Sequence, residues 1–190
     1  MVLPIIAYGD PLLKNLSEAI QPNYPELKQL IENMYETMYA CHGVGLAAPQ
    51  IGLSIRLFII DCTPFKEDET HLEGFKKTFI NAEIISQEGE EWLFKEGCLS
   101  IPEVREEVSR KPQIRLRYFD ENFIEHTEDF DGIAARVIQH EFDHTEGVLF
   151  TDYLSSLRRT MLKRKLNDIK NGSISTEYRM RFYKPKKGRR

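Results

Sequence analysis

The chain has 190 residues, of which 41% are hydrophobic and 29% are charged, as is ordinary for a globular protein. This length suits one domain with a sizeable core, and no stretch approaches the roughly 20 apolar residues that span a bilayer. The N-terminus lacks the basic start and cleavage site of a signal peptide, so we expect neither secretion nor a membrane partner. The three cysteines, Cys41, Cys62 and Cys98, are odd in number and widely spaced. They argue against a disulfide framework and predict a cytoplasmic protein.

The formal net charge of -4 is unevenly distributed along the chain. Residues 158–190 hold 13 Lys and Arg against two acidic residues, a net charge of +11, whereas residues 1–157 carry a net charge of -15. A basic end on an acidic body predicts an anionic partner such as nucleic acid, or else a solvated and disordered end.

The first third of the chain predicts a turn, a helix and a buried strand. Gly-Asp-Pro at 9–11 is a turn signal, and Pro25 favours the first position of a helix. Apolar residues follow Pro25 at a spacing of 3.6 residues, which is typical of a helix face turned to the core. Residues 55–61 are rich in branched apolar side chains and predict a buried strand, and the polar stretch 63–74 predicts a surface loop.

A segment of small residues lies between that helix and that strand. Residues 43–52 read Gly-Val-Gly-Leu-Ala-Ala-Pro-Gln-Ile-Gly, so the backbone can approach a ligand closely. Gln50 is the one polar side chain there that can donate hydrogen bonds. The segment lacks the Gly-Lys-Ser/Thr ending of a phosphate-binding loop. On these residues alone, a simple buried turn is an equally good interpretation.

The middle of the chain is rich in predicted strands and is followed by two helices. The strand candidates are 78–86, 90–95, 104–108, 113–119 and 123–129. Asp131 and Gly147 are the expected start and stop of the first of these helices, and a last helix covers 156–170. The pattern predicts an α+β fold with mostly antiparallel sheet around a central helix, with N-terminal and C-terminal helices. We expect one domain over 1–170 and a basic, flexible tail over 171–190.

The central helix carries His-Glu-x-x-His at 140–144. Residues four apart share one face of a helix, so His140 and His144 can bind one metal ion while Glu141 reaches a metal-bound water as a general base. The alternative is a helix with two ordinary histidines. A catalytic site usually has three protein ligands, and Cys98, which follows Gly97 after a strand, is the best third candidate. A lone cysteine can also be a small buried hydrophobe.

Three stretches together resemble the peptide deformylases, and they occur in that family's order. They are 43–50, the Glu-Gly-Cys-Leu-Ser of 96–100, and the Gln-His-Glu-Phe-Asp-His of 139–144. The resemblance covers roughly 4–155 and implies removal of the formyl group from the N-terminal formyl-methionine of new polypeptides. It also implies that Cys98, His140 and His144 bind one divalent metal ion, usually ferrous iron, with nickel, cobalt or zinc as substitutes.

The same resemblance implies roles for further residues. Glu141 would act as general acid and base, while the side-chain amide of Gln50 and the backbone N–H of Leu99 would stabilise the developing oxyanion. The methionine side chain needs an apolar slot and the peptide needs backbone partners. The candidates for this substrate site are Val44, Gly45, Phe94, Gly97, Ile133 and Val137. His42 stands where many family members have an acid, and the basic end past 170 has no counterpart that we can assign.

Two other classes of protein compete with this hypothesis. A zinc peptidase would use the same helix, but its third ligand is normally Glu or His rather than a cysteine in this context. A non-catalytic RNA-binding protein would explain the basic end, but a closed structural metal site needs a fourth ligand, and none is convincing. The expected partners are therefore formyl-methionyl nascent peptides and, through the basic end, the ribosome.

Overall fold

A computed structural model describes residues 1–67 and 69–184. In chain order the strands and helices are β1 (Ile5–Ile6), α1 (Leu27–Ala40), β2 (Gly45–Ala47), β3 (Leu57–Asp61), β4 (Lys76–Glu88), β5 (Trp92–Cys98), β6 (Ile101–Arg110), β7 (Gln113–Phe119), β8 (Glu125–Asp131), α2 (Gly132–Thr145), α3 (Ser156–Lys170) and β9 (Met180–Arg181). The predicted α+β class is confirmed. Within the described ranges, no helix is long and apolar enough to cross a membrane.

A five-stranded antiparallel sheet with the order β2-β3-β4-β7-β8 forms the body of the fold. The side chains of strand β3 show how helices α1 and α2 are placed around the sheet. Phe58 and Ile60 point to the core that contains α2, whereas Leu57 and Ile59 point to the core that contains α1. Because side chains alternate between the faces of a strand, an uninterrupted apolar run is what a strand between two helices requires.

Helix α2 is buried along most of its length, including its polar residues. Asp131 is its N-cap as predicted, but the Asp131 side chain makes no capping hydrogen bond. Glu69 from the loop between β3 and β4 supplies one instead, because its carboxylate accepts from the backbone N–H of Ile133 at 3.2 Å. Gly147 follows the helix with φ 72°, a left-handed conformation that favours glycine.

Strands β5 and β6 form a separate antiparallel hairpin. Its register shifts between Gly97 and Cys98, so that Cys98 pairs with Ile101 across a tight turn. Helix α3 packs on β6 through Leu166 and Ile169. The irregular pairing brings Cys98 to the end of the hairpin and presents its thiol to α2.

Residues 171–184 correct the prediction of a flexible tail. The chain returns to the body after α3, and β9 pairs in parallel with β1, with Ile5 opposite Met180. Ile174, Tyr178, Met180 and Phe182 all pack against the cores at a spacing of two residues or a multiple of two. This apolar alternation was hidden in the sequence by basic residues on the other face. The rest of the predicted tail, 185–190, lies outside the described residues.

Candidate active site

The structure brings Cys98, His140 and His144 together although they come from two different elements. One ligand atom from each residue lies within 4.8 Å of the other two, and the Cys98 Sγ is 3.3 Å from the His144 Nε2. A metal ion held at about 2.3 Å from sulfur and 2.0–2.1 Å from nitrogen places such atoms roughly 3.3–3.7 Å apart. The His-x-x-x-His spacing puts both rings on one face of α2, and the end of β5 brings the thiol to them.

The chemistry of the donor set also fits a divalent metal. His140 Nδ1 is 2.8 Å from the Glu96 carboxylate, which leaves Nε2 free to face the ion. Burial lowers the pKa of His144, so its ring is neutral, the form that binds metal. The cluster contains three candidate ligands within the described part of the chain. Three ligands leave a position open for water or substrate, which a closed structural site would not.

Glu96 connects this centre to two buried arginines. Its carboxylate accepts from Arg110 Nε at 2.7 Å and from Arg136 Nη1 at 3.1 Å, besides its bond with His140. Burial alone would raise the pKa of Glu96, but the hydrogen bonds from His140 and Arg110 hold it well below its usual range. Arg110 also donates to Asp143 on α2 at 2.7 Å. The sequence gave no signal for Arg136 or Asp143.

Glu141 lies beside the three ligands and faces β2. The residue is 4% exposed, and its Oε2 has no hydrogen-bond partner among the described residues. Burial raises the pKa of Glu141 to about 7. A Cβ at Gly45 would overlap the Glu141 carboxylate, so glycine is the residue that leaves room for it. The result is a buried carboxylate that follows His140 in the chain, packs against Gly45 and has one oxygen without a partner among the described residues.

Gln50 contacts the Cys98 thiol, and Leu99 is the next residue in the chain after Cys98. The Gln50 Oε1 accepts from the Ala47 N–H at 2.8 Å, which fixes the amide so that its Nε2 donates to the Cys98 Sγ at 3.3 Å. Gln50 is 1% exposed, and Leu99 follows Cys98 in the hairpin turn. The small-residue segment is therefore a ligand-facing element as well as a buried turn.

A cleft of about 680 Å³ opens over these residues. Five of the six predicted substrate residues line it: Val44, Gly45, Phe94, Gly97 and Val137. Ile133 lies one helical turn before Val137, is buried and packs in the same core cluster as Val137, so its place in the substrate site stays a prediction.

Several cleft residues were not predicted as site residues. Phe65 lies in a loop predicted to be a polar surface segment, and Arg136 lies on α2. A single apolar residue in a charged loop carries no periodic signal. Residues 175–178 also line the cleft, although the sequence predicted that they would be part of a free tail.

A mixed helix and antiparallel-sheet fold, a Cys-His-His cluster and an adjacent unpartnered carboxylate define a metal-dependent hydrolase. Residues 2–160 match the family described as Polypeptide deformylase. The peptide deformylase of Flavobacterium johnsoniae is 58% identical over all of both chains. The crystal structure of a peptide deformylase from Legionella pneumophila has a TM-score of 0.79 and 35% identity, covering 91% of this chain and 98% of that one. The corresponding structure from Thermotoga maritima has a TM-score of 0.74 and 39% identity, covering 82% and 99%.

The chain belongs to the polypeptide deformylase family. It is a metal-dependent enzyme that removes the N-formyl group from new polypeptides, and the activity expected from the sequence is confirmed.

Proposed function

We propose that Glu141 is the general base and acid of the deformylation, with Cys98, His140 and His144 holding the metal. The observation that carries this proposal is the buried Glu141 Oε2, which has no partner among the described residues and lies beside the ligand cluster. When bound, a divalent ion lowers the pKa of a coordinated water from about 15.7 toward ~7 and polarises a carbonyl oxygen.

Glu141 then carries the proton through the reaction. It accepts a proton from the attacking water as the water oxygen bonds to the formyl carbon. The bond between that carbon and the amine nitrogen breaks, and Glu141 delivers its proton to the departing amine. The products are formate and a polypeptide with a free N-terminal methionine. Water is the only other reactant, and the reaction involves no change of oxidation state.

Gln50 and Leu99 stabilise the negative charge that develops on the formyl oxygen. The Gln50 Nε2 is a fixed, buried donor, and the Leu99 backbone N–H lies one residue after the metal-binding thiol. Loss of one such donor typically raises the barrier by about 3–4 kcal/mol. Val44, Phe94 and Val137 form the apolar slot for the methionine side chain, while Gly45 and Gly97 offer backbone groups to the peptide.

We further propose ferrous iron as the native ion. A thiolate with two imidazoles is a donor set that also accepts nickel, cobalt and zinc, and the general stability order favours zinc over ferrous iron. Metal content measured on anaerobically purified protein, together with formate release from formyl-Met-Ala-Ser, tests this assignment. Iron is expected at one per chain, with activity that is lost on chelation and restored by ferrous iron. Zinc at one per chain in the active, untreated protein would overturn the assignment.

The role of Glu141 is tested by its replacement with alanine. Glu141→Ala is expected to keep the fold and the three metal ligands but to lose nearly all formate release, because no other unpartnered carboxylate joins the cluster within the described residues. Metal content and thermal unfolding on the same sample separate lost chemistry from lost structure. A metal-loaded, folded Glu141→Ala protein with near wild-type turnover would contradict the general-base role.

We also propose that the enzyme works in the cytoplasm, at the ribosome, where formyl-methionyl nascent peptides emerge. The three cysteines are free, which suits a reducing compartment. Four exposed cations of α3 make no ion pair within the described chain and offer a surface to ribosomal RNA: Arg159, Lys163, Arg164 and Lys170.

A further inference from the structure

The segment after α3, residues 173–182, is attached to the same turn that carries the metal-binding cysteine. We call it the return segment. Ile5 N–H donates to the Arg179 carbonyl and Ala7 N–H to the Arg181 carbonyl, both at 2.9 Å. Two residues after β1, Tyr8 N–H donates to the Ser100 carbonyl at 2.8 Å. The β1–β9 pair is thus bonded to the turn at the end of the β5–β6 hairpin.

Tyr178 makes the direct connection between the return segment and that turn. Its hydroxyl donates to the Leu99 carbonyl at 2.8 Å. The Tyr178 ring is half-buried and packs in the same cluster as Leu99, Met38 and Cys41. An anchored carbonyl restricts rotation of the Leu99 backbone, whose N–H is a proposed donor to the formyl oxygen.

Ser175, Thr176, Glu177 and Tyr178 line the catalytic cleft. Glu177 is exposed, and its carboxylate makes no ion pair with any part of the chain that the structure describes. The family match ends at residue 160, so the return segment lies beyond the part of the chain that the family match assigns.

We propose that the return segment is part of the active site of this chain. Tyr178 is a positioning residue for Leu99, and Glu177 forms a charged wall for the substrate residues that follow the formyl-methionine. The inference deepens the proposed function and rests on it, since it assumes that Leu99 serves the formyl oxygen and that the peptide runs along this cleft.

The wall is tested by reversing its charge. The substrates are formyl-Met-Ala-Lys-Lys-amide, formyl-Met-Ala-Glu-Glu-amide and formyl-Met-Ala-amide, assayed with metal-loaded, full-length enzyme. Glu177→Lys is expected to lower the ratio of kcat/KM for the lysine substrate to that for the glutamate substrate about two- to fivefold, the upper part of the range for charges at an exposed surface. Added salt should reduce the effect, and Glu177→Gln should give an intermediate ratio.

Glu32→Lys provides the matched control. Glu32 is exposed on α1, makes no ion pair within the described residues and does not line the cleft. Glu32→Lys changes the net charge by the same amount as Glu177→Lys. The ratio of kcat/KM for the lysine substrate to that for the glutamate substrate should therefore stay at the wild-type value in Glu32→Lys. A Glu177→Lys ratio equal to that of Glu32→Lys would overturn the charged wall.

The positioning role is tested with Tyr178→Phe, which removes one hydroxyl and keeps the ring. We expect kcat for formyl-Met-Ala-amide to fall about three- to tenfold with KM little changed. The hydrogen bond that is lost holds the Leu99 backbone in place and is not a bond to the substrate. Tyr183→Phe is the control, since Tyr183 follows the return segment, is exposed and makes no side-chain hydrogen bond within the described chain. An unchanged kcat in Tyr178→Phe would overturn the positioning role.

The outcomes separate this inference from the proposed function. If Glu141→Ala retains turnover, the proposed chemistry fails whatever the return-segment variants do. If Glu141→Ala is inactive while Glu177→Lys and Tyr178→Phe both match their controls, the chemistry stands and the inference alone fails.

Discussion

Glu96 is the residue through which the metal centre is joined to the rest of the molecule. Its buried carboxylate accepts hydrogen bonds from a metal-ligand histidine and from two arginines of separate elements. Since His140 Nδ1 points at Glu96, the other ring nitrogen is the one presented to the ion. The same carboxylate compensates the charges of Arg110 and Arg136, whose side chains are 4% and 2% exposed.

Replacing Glu96 by glutamine should therefore weaken both metal binding and folding. Glu96→Gln removes the negative charge from beside His140, and losing the hydrogen-bond partner of a ligand histidine reduces metal affinity about 10–100-fold. Arg110 keeps Asp143 as a partner, but Arg136 is left buried without a carboxylate among the described residues, which should cost about 3–5 kcal/mol of unfolding free energy. Competition with a chelator and unfolding in denaturant measure the two effects.

Glu106→Gln is the control for that experiment. Glu106 is also a buried carboxylate of the β5–β6 hairpin, but its partner Arg158 is half exposed and can turn to water. A small loss of stability with unchanged metal affinity is expected. Equal metal affinity in both variants would rule out the orienting role of Glu96.

The sequence predicted most of the residues at the centre because their chemistry is encoded in local spacing. His140, Glu141 and His144 follow from one helical motif, and Cys98 follows from the resemblance of its short context. Arg136 and Asp143 were missed because their roles depend on side chains from other elements. The role of Ile133 stays a prediction, because helical spacing defines a face but not which of its residues meet the substrate.

At the scale of elements, periodicity and end signals gave bounds that agree closely with the structure. The predicted strand 113–119 and the predicted helix 156–170 have the bounds of β7 and α3. The return segment was missed because its short strand pairs with residues more than 170 positions away and its apolar alternation is interrupted by basic residues. Pairing between short strands far apart in the chain leaves little signal in the local sequence pattern.

The end of α2 offers a test of how tightly one element is fitted against another. Gly147 and Gly74 have nearly the same backbone angle, φ 72° and φ 70°. A Cβ at Gly147 would lie 2.6 Å from the Lys14 carbonyl oxygen, whereas a Cβ at Gly74 would meet nothing within 4 Å. Both alanine variants share the cost of a left-handed backbone, and only Gly147→Ala adds a backbone clash.

We expect Gly147→Ala to lose about 2 kcal/mol or more of unfolding free energy beyond the loss in Gly74→Ala, since overpacking against backbone typically costs 1–3 kcal/mol. Denaturant unfolding of the two metal-loaded variants gives the difference directly. Formate release should survive in Gly74→Ala. Equal stability of the two variants would mean that the N-terminal segment shifts freely away from the end of α2.

At the scale of the whole molecule, much of the positive charge of residues 158–190 lies on folded elements and not on a free tail. Part of the basic end is folded into α3 and the return segment, and two of its cations are neutralised locally. Arg158 forms an ion pair with Glu106, and the Lys165 ammonium lies 3.4 Å from the Glu103 carboxylate. Four of the cations left without an ion pair within the described chain lie on the exposed surface of α3, and Arg179 and Arg181 of the return segment are also left without one. Deleting 171–190 would therefore remove part of the cleft along with the charge, and it cannot test ribosome binding alone.

A sharper test changes charge on α3 and leaves the return segment intact. The double variant Lys163→Gln/Arg164→Gln should bind isolated ribosomes more weakly, and the slope of log affinity against log salt should fall by about 1–2, because each lost phosphate contact releases about one counterion fewer. Lys28→Gln is the control, since Lys28 is exposed on α1 and makes no ion pair within the described chain. Activity on formyl-Met-Ala-amide should be unchanged in both, because neither site lines the cleft.

Co-sedimentation with ribosomes at several salt concentrations measures the slope. The same slope in the double variant and the wild type would show that α3 is not the contact surface.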